Sequence, residues 1–150
     1  MGLRGGNMKI LICGLPGSGK TTFAQELKGH LGIDADWHNA DRVRKIYDDW
    51  DFSPEGRIRQ VNRMKQLAEN SKVKYVICDF VAPTKEIRDI FDADFVVWMD
   101  TIKKSEYEDT NKIFEKPTND EWDYVVKVKD ASNTVPFFIK DILGRNDQPA

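Results

Sequence analysis

The stretch Gly14-Leu15-Pro16-Gly17-Ser18-Gly19-Lys20-Thr21 decides how this chain is read. It fits G-x-x-x-x-G-K-[ST], the phosphate-cradling P-loop. The apolar run Ile10-Leu11-Ile12-Cys13 comes just before it, and the helix-like run Thr22-Phe23-Ala24-Gln25-Glu26-Leu27 just after. A strand, a glycine-rich turn and a helix N-terminus together make an anion site. Glycines let backbone N–H groups close on phosphates, and the helix dipole favours negative charge there. Gly14, Leu15, Pro16, Gly17, Ser18, Gly19, Lys20, Thr21 and Thr22 are therefore the candidate nucleotide contacts. Lys20 can reach the β/γ-phosphates, and the Thr21 hydroxyl can ligate Mg²⁺, so ATP and Mg²⁺ are the implied cofactors. The alternative is a flexible glycine turn with an exposed lysine, and the flanking strand and helix argue against it.

The 150 residues point to one domain with a single core. Hydrophobic content of 40%, charged content of 32% and a net charge of −2 are an ordinary globular balance. There is no overall basic excess, so a broad duplex-DNA footprint is not expected, while a local basic groove stays open. No apolar run approaches the roughly 18 residues of a membrane helix, and no signal peptide is visible. A cytoplasmic location without a membrane partner is expected, and a homodimer is left open. Residues 1–7 read as a disordered leader before a single domain over 8–150. Cys13 and Cys78 each end an apolar run and read as buried free thiols rather than a disulfide.

Short apolar runs alternate with helical stretches. The spacing predicts strands at Lys9–Cys13, Asp36–His38, Tyr75–Phe80, Phe95–Met99 and Tyr124–Val128. It predicts helices at Lys20–Leu31, Asp41–Asp48, Pro54–Asn70, Lys85–Phe91, Lys103–Asn111 and Val135–Leu143. Ser53-Pro54-Glu55 is a helix start, with Ser as N-cap and Pro at the first helical position. Gly144 suits the C-cap of the last helix. The alternation implies an α/β fold, a three-layer αβα sandwich on a mostly parallel five-stranded sheet. The ligand then belongs at the carboxyl ends of the strands, where the P-loop falls.

Chemistry should gather after each strand. The second strand is followed by Asn39-Ala40-Asp41-Arg42-Val43-Arg44, the third by Asp79-Phe80-Val81-Ala82-Pro83 with Arg88 beyond, and the fourth by Asp100-Thr101. Carboxylates and arginines placed this way suit Mg²⁺–nucleotide chemistry on an anionic acceptor.

With these residues in view, the chain resembles the adenylylsulfate (APS) kinases. The likeness is carried by Gly14–Thr22, Asn39–Arg44, Phe52-Ser53 with Arg57, Phe80-Val81-Ala82-Pro83 with Arg88, and Met99-Asp100-Thr101. It spans about residues 8–115. The resemblance implies a P-loop kinase of the nucleotide-kinase-like class that phosphorylates the 3′-hydroxyl of adenylylsulfate with Mg·ATP. It implies Lys20 and Asp41 as catalytic residues, with Asp41 near the acceptor hydroxyl as general base or through Mg²⁺. It places Arg44, Arg57, Gln60, Phe80 and Arg88, with Asp41, at the acceptor. Arginine suits that task because its planar fork binds phosphate or sulfate bidentately.

Each assignment has a plainer alternative. Asp41 could simply N-cap a helix, and the arginines could be solvated helix-surface groups. Asp79 ends the most apolar strand. There an acid can hold Mg²⁺ beside Thr21 and Asp41, as Walker-B aspartates do, or merely cap a turn. Lys103, Lys104 and Lys112 lie in the stretch expected to act as a lid, where Lys112 could meet the phosphoryl group. Trp37, Tyr47, Trp50 and Phe52 could stack on a base, but core or rim packing is the commoner use. His30 and His38 show no metal-ligand spacing.

The sequence departs from the family pattern mostly on the acceptor side. Asn39 stands where the first acid of D-G-D-N belongs, and Gln60 where an Asn is expected. Ala82 replaces a serine, and Glu108-Asp109 lacks the arginine of an R-D pair. Residues 115–123 form a short polar turn in place of a long lid. The alternatives therefore include another hydroxyl acceptor, such as a nucleoside, a sugar or a nucleic-acid end, and a non-catalytic nucleotide-binding module.

Overall fold

The computed structural model describes residues 7–145. The expected leader lies outside the described residues except for Asn7, which is buried and whose Nδ2 donates to the carbonyls of Ala68 and Ser71.

Strands and helices alternate. β1 (Met8–Cys13) runs through the P-loop into α1 (Lys20–Leu31), and β2 (Ala35–Asn39) leads to α2 (Ala40–Tyr47) and α3 (Pro54–Glu69). β3 (Tyr75–Asp79) precedes α4 (Lys85–Phe91), β4 (Phe95–Met99) precedes α5 (Glu108–Ile113), and β5 (Tyr124–Val126) precedes α6 (Ala131–Phe137). The sheet is five-stranded in the order β2-β3-β1-β4-β5. Every pairing is parallel, so the expected mostly parallel sheet is parallel throughout.

Strand periodicity divides the core. Ile10 and Ile12 point into one cluster with Phe23, Leu27, Ile77 and Phe138, beneath α1 and α6. Leu11 and Cys13 point into the other with Val61, Met64, Val76 and Phe91, beneath α3 and α4. A central parallel strand covered on both faces needs such a continuous apolar run. Each buried Leu, Ile or Phe side chain contributes about 1.5–3 kcal/mol. The chain crosses from one side of β1 to the other between β3 and β4, which opens a crevice at the carboxyl ends of β1 and β3.

Three elements differ from expectation by more than one residue at an end. α5 starts at Glu108 instead of Lys103. Ser105 N donates to Asn111 Oδ1 (2.8 Å) and Asn111 Nδ2 donates back to Ser105 O (2.9 Å). Such side-chain bonds satisfy the backbone in a turn and compete with a helix. β5 stops at Val126, opposite the end of β4 at Met99, and Lys127 turns out to pair with Asp100 at 2.7 Å. The last helix starts earlier, at Ala131, and Pro136 inside it lacks the N–H for the Ser132 carbonyl. The chain continues as a wider π turn over Phe138–Ile142.

Candidate active site

The P-loop curls at the end of β1, with Gly17 and Gly19 at φ of 83° and 98°. It is held from both sides. Gly14 N donates to Val81 O (3.3 Å) beyond β3, and Thr101 Oγ1 beyond β4 donates to Ser18 O (2.6 Å). The first N–H groups of α1 are left open towards the crevice, as at any helix N-terminus. Lys20 is buried, and its Nζ donates to Leu15 O at 2.9 Å, bridging the loop. Burial pushes its ammonium below the ordinary lysine range, while the charges of Asp79 and Asp41 act the other way. Both acids therefore share the field of the P-loop lysine.

Asp79 ends β3 and is 2% exposed. Burial pushes its carboxyl above the ordinary range, opposed by hydrogen bonds from Trp37, Thr21 and Asn39 and by the Lys20 charge. Thr21 Oγ1 donates to Asp79 Oδ2 at 2.9 Å, so the P-loop hydroxyl and this acid form one unit.

Asn39 explains why an amide stands where the family pattern has an acid. It is the cross-strand partner of Asp79. Its Oδ1 accepts from Arg42 N (3.0 Å) and caps α2, while its Nδ2 donates to Asp79 Oδ2 (3.0 Å). An aspartate could make the first bond but not the second. The N-cap is thus Asn39 and not Asp41, and α2 begins at Ala40. Asp41 sits exposed in the first turn, free of capping duty and within the field of Lys20 and Arg44.

The arginines divide into two kinds. Arg44 is 4% exposed, and its Nη1 donates to the carbonyls of Asp49 (2.9 Å) and Asp51 (3.2 Å). Arg57 Nε donates to Phe52 O (3.0 Å) and its Nη2 to Thr110 Oγ1 (3.3 Å). Their guanidinium carbons lie 4.2 and 5.4 Å from the ring centre of Phe52. Among the described residues, neither is hydrogen-bonded to a carboxylate. Arg88 differs. Its Nε donates to Glu121 Oε2 (3.0 Å), a part-buried bond, and its Nη1 to Ala82 O (2.8 Å), a buried one. That pair pins the 117–121 turn to α4.

Gln60 and Phe80 are engaged in packing. Gln60 is buried, donates from Nε2 to Ala40 O (3.0 Å) and accepts from Arg63 Nη1 (3.3 Å), joining α3 to α2. Phe80 is buried edge-on against Phe91 at 5.5 Å. Lys103, Lys104 and Lys112 are exposed. The polar turn ahead of β5 is anchored by Glu115, whose N–H donates to Pro83 O (2.6 Å) and whose carboxylate accepts from Lys85 N (2.9 Å). Cys13 and Cys78 are buried free thiols, as expected. Burial pushes the Cys13 thiol up to about 12 and the Cys78 thiol up as well, so neither is a nucleophile at neutral pH.

A family model described as an AAA domain matches residues 10–129. The chain belongs to that AAA-domain family. Solved kinases share its fold. The structure of the APS kinase from Mycobacterium tuberculosis with AMPPNP and APS matches at a TM-score of 0.76 and 19% identity, covering 93% of this chain and 98% of that one. A gluconokinase from Sinorhizobium meliloti 1021 matches at 0.66 and 14%, covering 87% and 89%. A shikimate kinase from Acinetobacter baumannii in complex with shikimate matches at 0.62 and 14%, covering 92% and 94%. No curated protein sequence matches the chain. Identities this low carry the fold alone, which is that of P-loop kinases.

The AAA-domain match covers the P-loop, Asp41, Asp79 and the arginines together. Thr21 and Asp79 offer the hard oxygen donors that Mg²⁺ takes. Among the described residues no three His, Cys, Asp or Glu side chains form a metal cluster. One or two protein oxygens completed by phosphates is the usual arrangement for Mg²⁺, so these residues fit it. Sequence reasoning missed Trp37 as a partner of Asp79, because a tryptophan in a strand reads as packing. It also missed Lys129, whose stem covers Gly19, with Cγ 3.6 Å from where a Cβ on that glycine would stand. Its place beyond a strand end was the available signal. No described helix is long and apolar enough to cross a membrane.

Proposed function

We propose that this AAA-domain protein is an ATP-dependent kinase that transfers the γ-phosphoryl group to a hydroxyl of a small anionic acceptor, with adenylylsulfate as the leading acceptor. One observation carries this. The Thr21–Asp79 hydrogen bond lies in the field of Lys20, which Asp41 shares, and Arg44 and Arg57 are hydrogen-bonded to no carboxylate among the described residues.

The α1 N-terminus and the Gly14–Thr21 backbone hold the phosphates, and Lys20 moves from Leu15 O to the β/γ-phosphate oxygens. Thr21 and Asp79 hold Mg²⁺, which when bound offsets charge on the phosphates. Asp41 accepts the acceptor hydroxyl proton as that oxygen bonds to the γ-phosphorus and the bond to the ADP oxygen breaks. Lys20 then offsets the charge left on ADP. Most of the rate comes from positioning and charge stabilisation. Arg44 and Arg57, both over the Phe52 ring, grip the anionic group.

The Arg88–Glu121 pair favours a second reading. With Arg88 neutralised, one expected anion contact is already filled from within, which suits a less highly charged hydroxyl acceptor. Asp41→Asn tests the transfer step common to both. ATP affinity should be kept and turnover should fall by about 10²–10⁴. Unchanged turnover would remove Asp41 from the mechanism.

A further inference from the structure

Asp79 is buried, yet among the described residues no lysine or arginine hydrogen-bonds it. Every hydrogen bond it receives comes from a neutral donor. Oδ2 accepts from Thr21 and Asn39, and Oδ1 accepts from the Trp37 indole Nε1–H at 2.6 Å. Trp37 and Asn39 are two residues apart on β2, so strand geometry sends both side chains to one face, beside Asp79. The Trp37 ring is fixed by packing against the α1-side core, and the Arg42 guanidinium lies 5.5 Å from its centre. A ring held this firmly gives its N–H one direction.

That direction matters because a carboxylate turns about its last bond. Without the indole, Oδ1 would be a buried acceptor that has lost the donor it has among the described residues. A carboxylate that turned to find another donor would carry Oδ2 off Thr21.

We infer that Trp37 is a positioning residue for the nucleotide–metal site: its indole N–H pins Asp79 Oδ1, which keeps Oδ2 on Thr21. This role rests on the assignment of Thr21 and Asp79 to the metal side of the P-loop.

The test is ATP affinity by calorimetry, with Mg²⁺ and with excess chelator, for the unsubstituted chain, W37F, D79N and W37F/D79N. W37F should cut the Mg²⁺-dependent gain in affinity by roughly 10-fold, as losing the hydrogen-bond partner of a metal-holding carboxylate does, and leave metal-free affinity within about twofold. W37F/D79N should match D79N alone, since the indole acts only through that carboxylate. Equal weakening of W37F with and without Mg²⁺, or full additivity of the two substitutions, would overturn the inference. Loss of the Mg²⁺ gain in D79N but not in W37F would sink Trp37 alone. An intact gain in D79N would sink the metal assignment beneath it. Where W37F does not fold, the Trp37 indole proton of the unsubstituted chain serves instead. It should stay protected from exchange when Mg·ATP is added, and its release would overturn the role.

Discussion

Arg44 and Arg57 lie on either side of the decision about the acceptor. Desolvation lowers both guanidinium pKa values from the ordinary arginine value; at Arg44 the Asp49 charge opposes this, while Arg57 and Arg63 add to it. Two desolvated cations this close are tolerated more readily when an anion joins them. Arg44→Ala should therefore raise the acceptor KM by about 10- to 100-fold, the worth of one or two charge-assisted bonds, with little change in the ATP KM. Steady-state kinetics with both substrates varied would check this, and the reverse pattern would move the acceptor site elsewhere. At this scale residue types were legible and pairings were not. The order of Asp41, Arg44 and Arg57 along the chain identified them as candidates. That Asn39 caps α2 with one end of its amide and holds Asp79 with the other depends on the β2–β3 register, which spacing does not reveal. Arg88 looked like its fellow arginines until Glu121, distant in sequence, was found bound to it.

The 48–53 connection between α2 and α3 shows why an element boundary can be read while its support cannot. Ser53 and Pro54 mark the start of α3, and Ser53 Oγ accepts from Gly56 N as a cap should (3.2 Å). The loop behind them is stitched by Arg59 to Asp49 (2.9 Å) and Asp51 (3.0 Å), and by Arg63 to Asp49 (2.6 Å). This brings the Asp51 carbonyl down on Gly56, where an added Cβ would stand 2.0 Å from it. Glycine in a helix is locally unfavourable, and only this tertiary contact accounts for it. Gly56→Ala should destabilise the fold by about 1–3 kcal/mol, because backbone and not a flexible tip must move. Chemical denaturation would show a lower midpoint at an unchanged slope. A midpoint equal to or above that of the unsubstituted chain would mean the loop yields freely. α5 was misplaced for a related reason, since the Ser105–Asn111 bonds that delay it are side-chain chemistry that periodicity does not register.

Across the whole molecule, the alternation of continuous apolar runs with helical stretches made the parallel sheet legible, because strands covered on both faces leave no other pattern. The strand order was beyond reach, since each helical crossover could lead to either side of β1. Residues 115–123 read as a short polar turn in place of a long lid, and the structure ties that turn down through Glu115 and Glu121 to the β3–α4 side. Nucleotide binding should stabilise the domain as a unit. At 100 times its dissociation constant Mg·ATP should add about 2.7 kcal/mol. In a domain of this size that is roughly 5–10 °C in Tm by calorimetry. Lys20→Ala should lose most of that rise, and a full rise in the variant would contradict the P-loop assignment. The central claim is phosphoryl transfer to an anionic acceptor. It is tested most directly by ADP release from Mg·ATP over a panel of adenylylsulfate, gluconate, shikimate, a neutral nucleoside and a 5′-hydroxyl oligonucleotide. Release should be stimulated by adenylylsulfate above all others and abolished in Lys20→Ala, whereas the same slow release with every acceptor would contradict it.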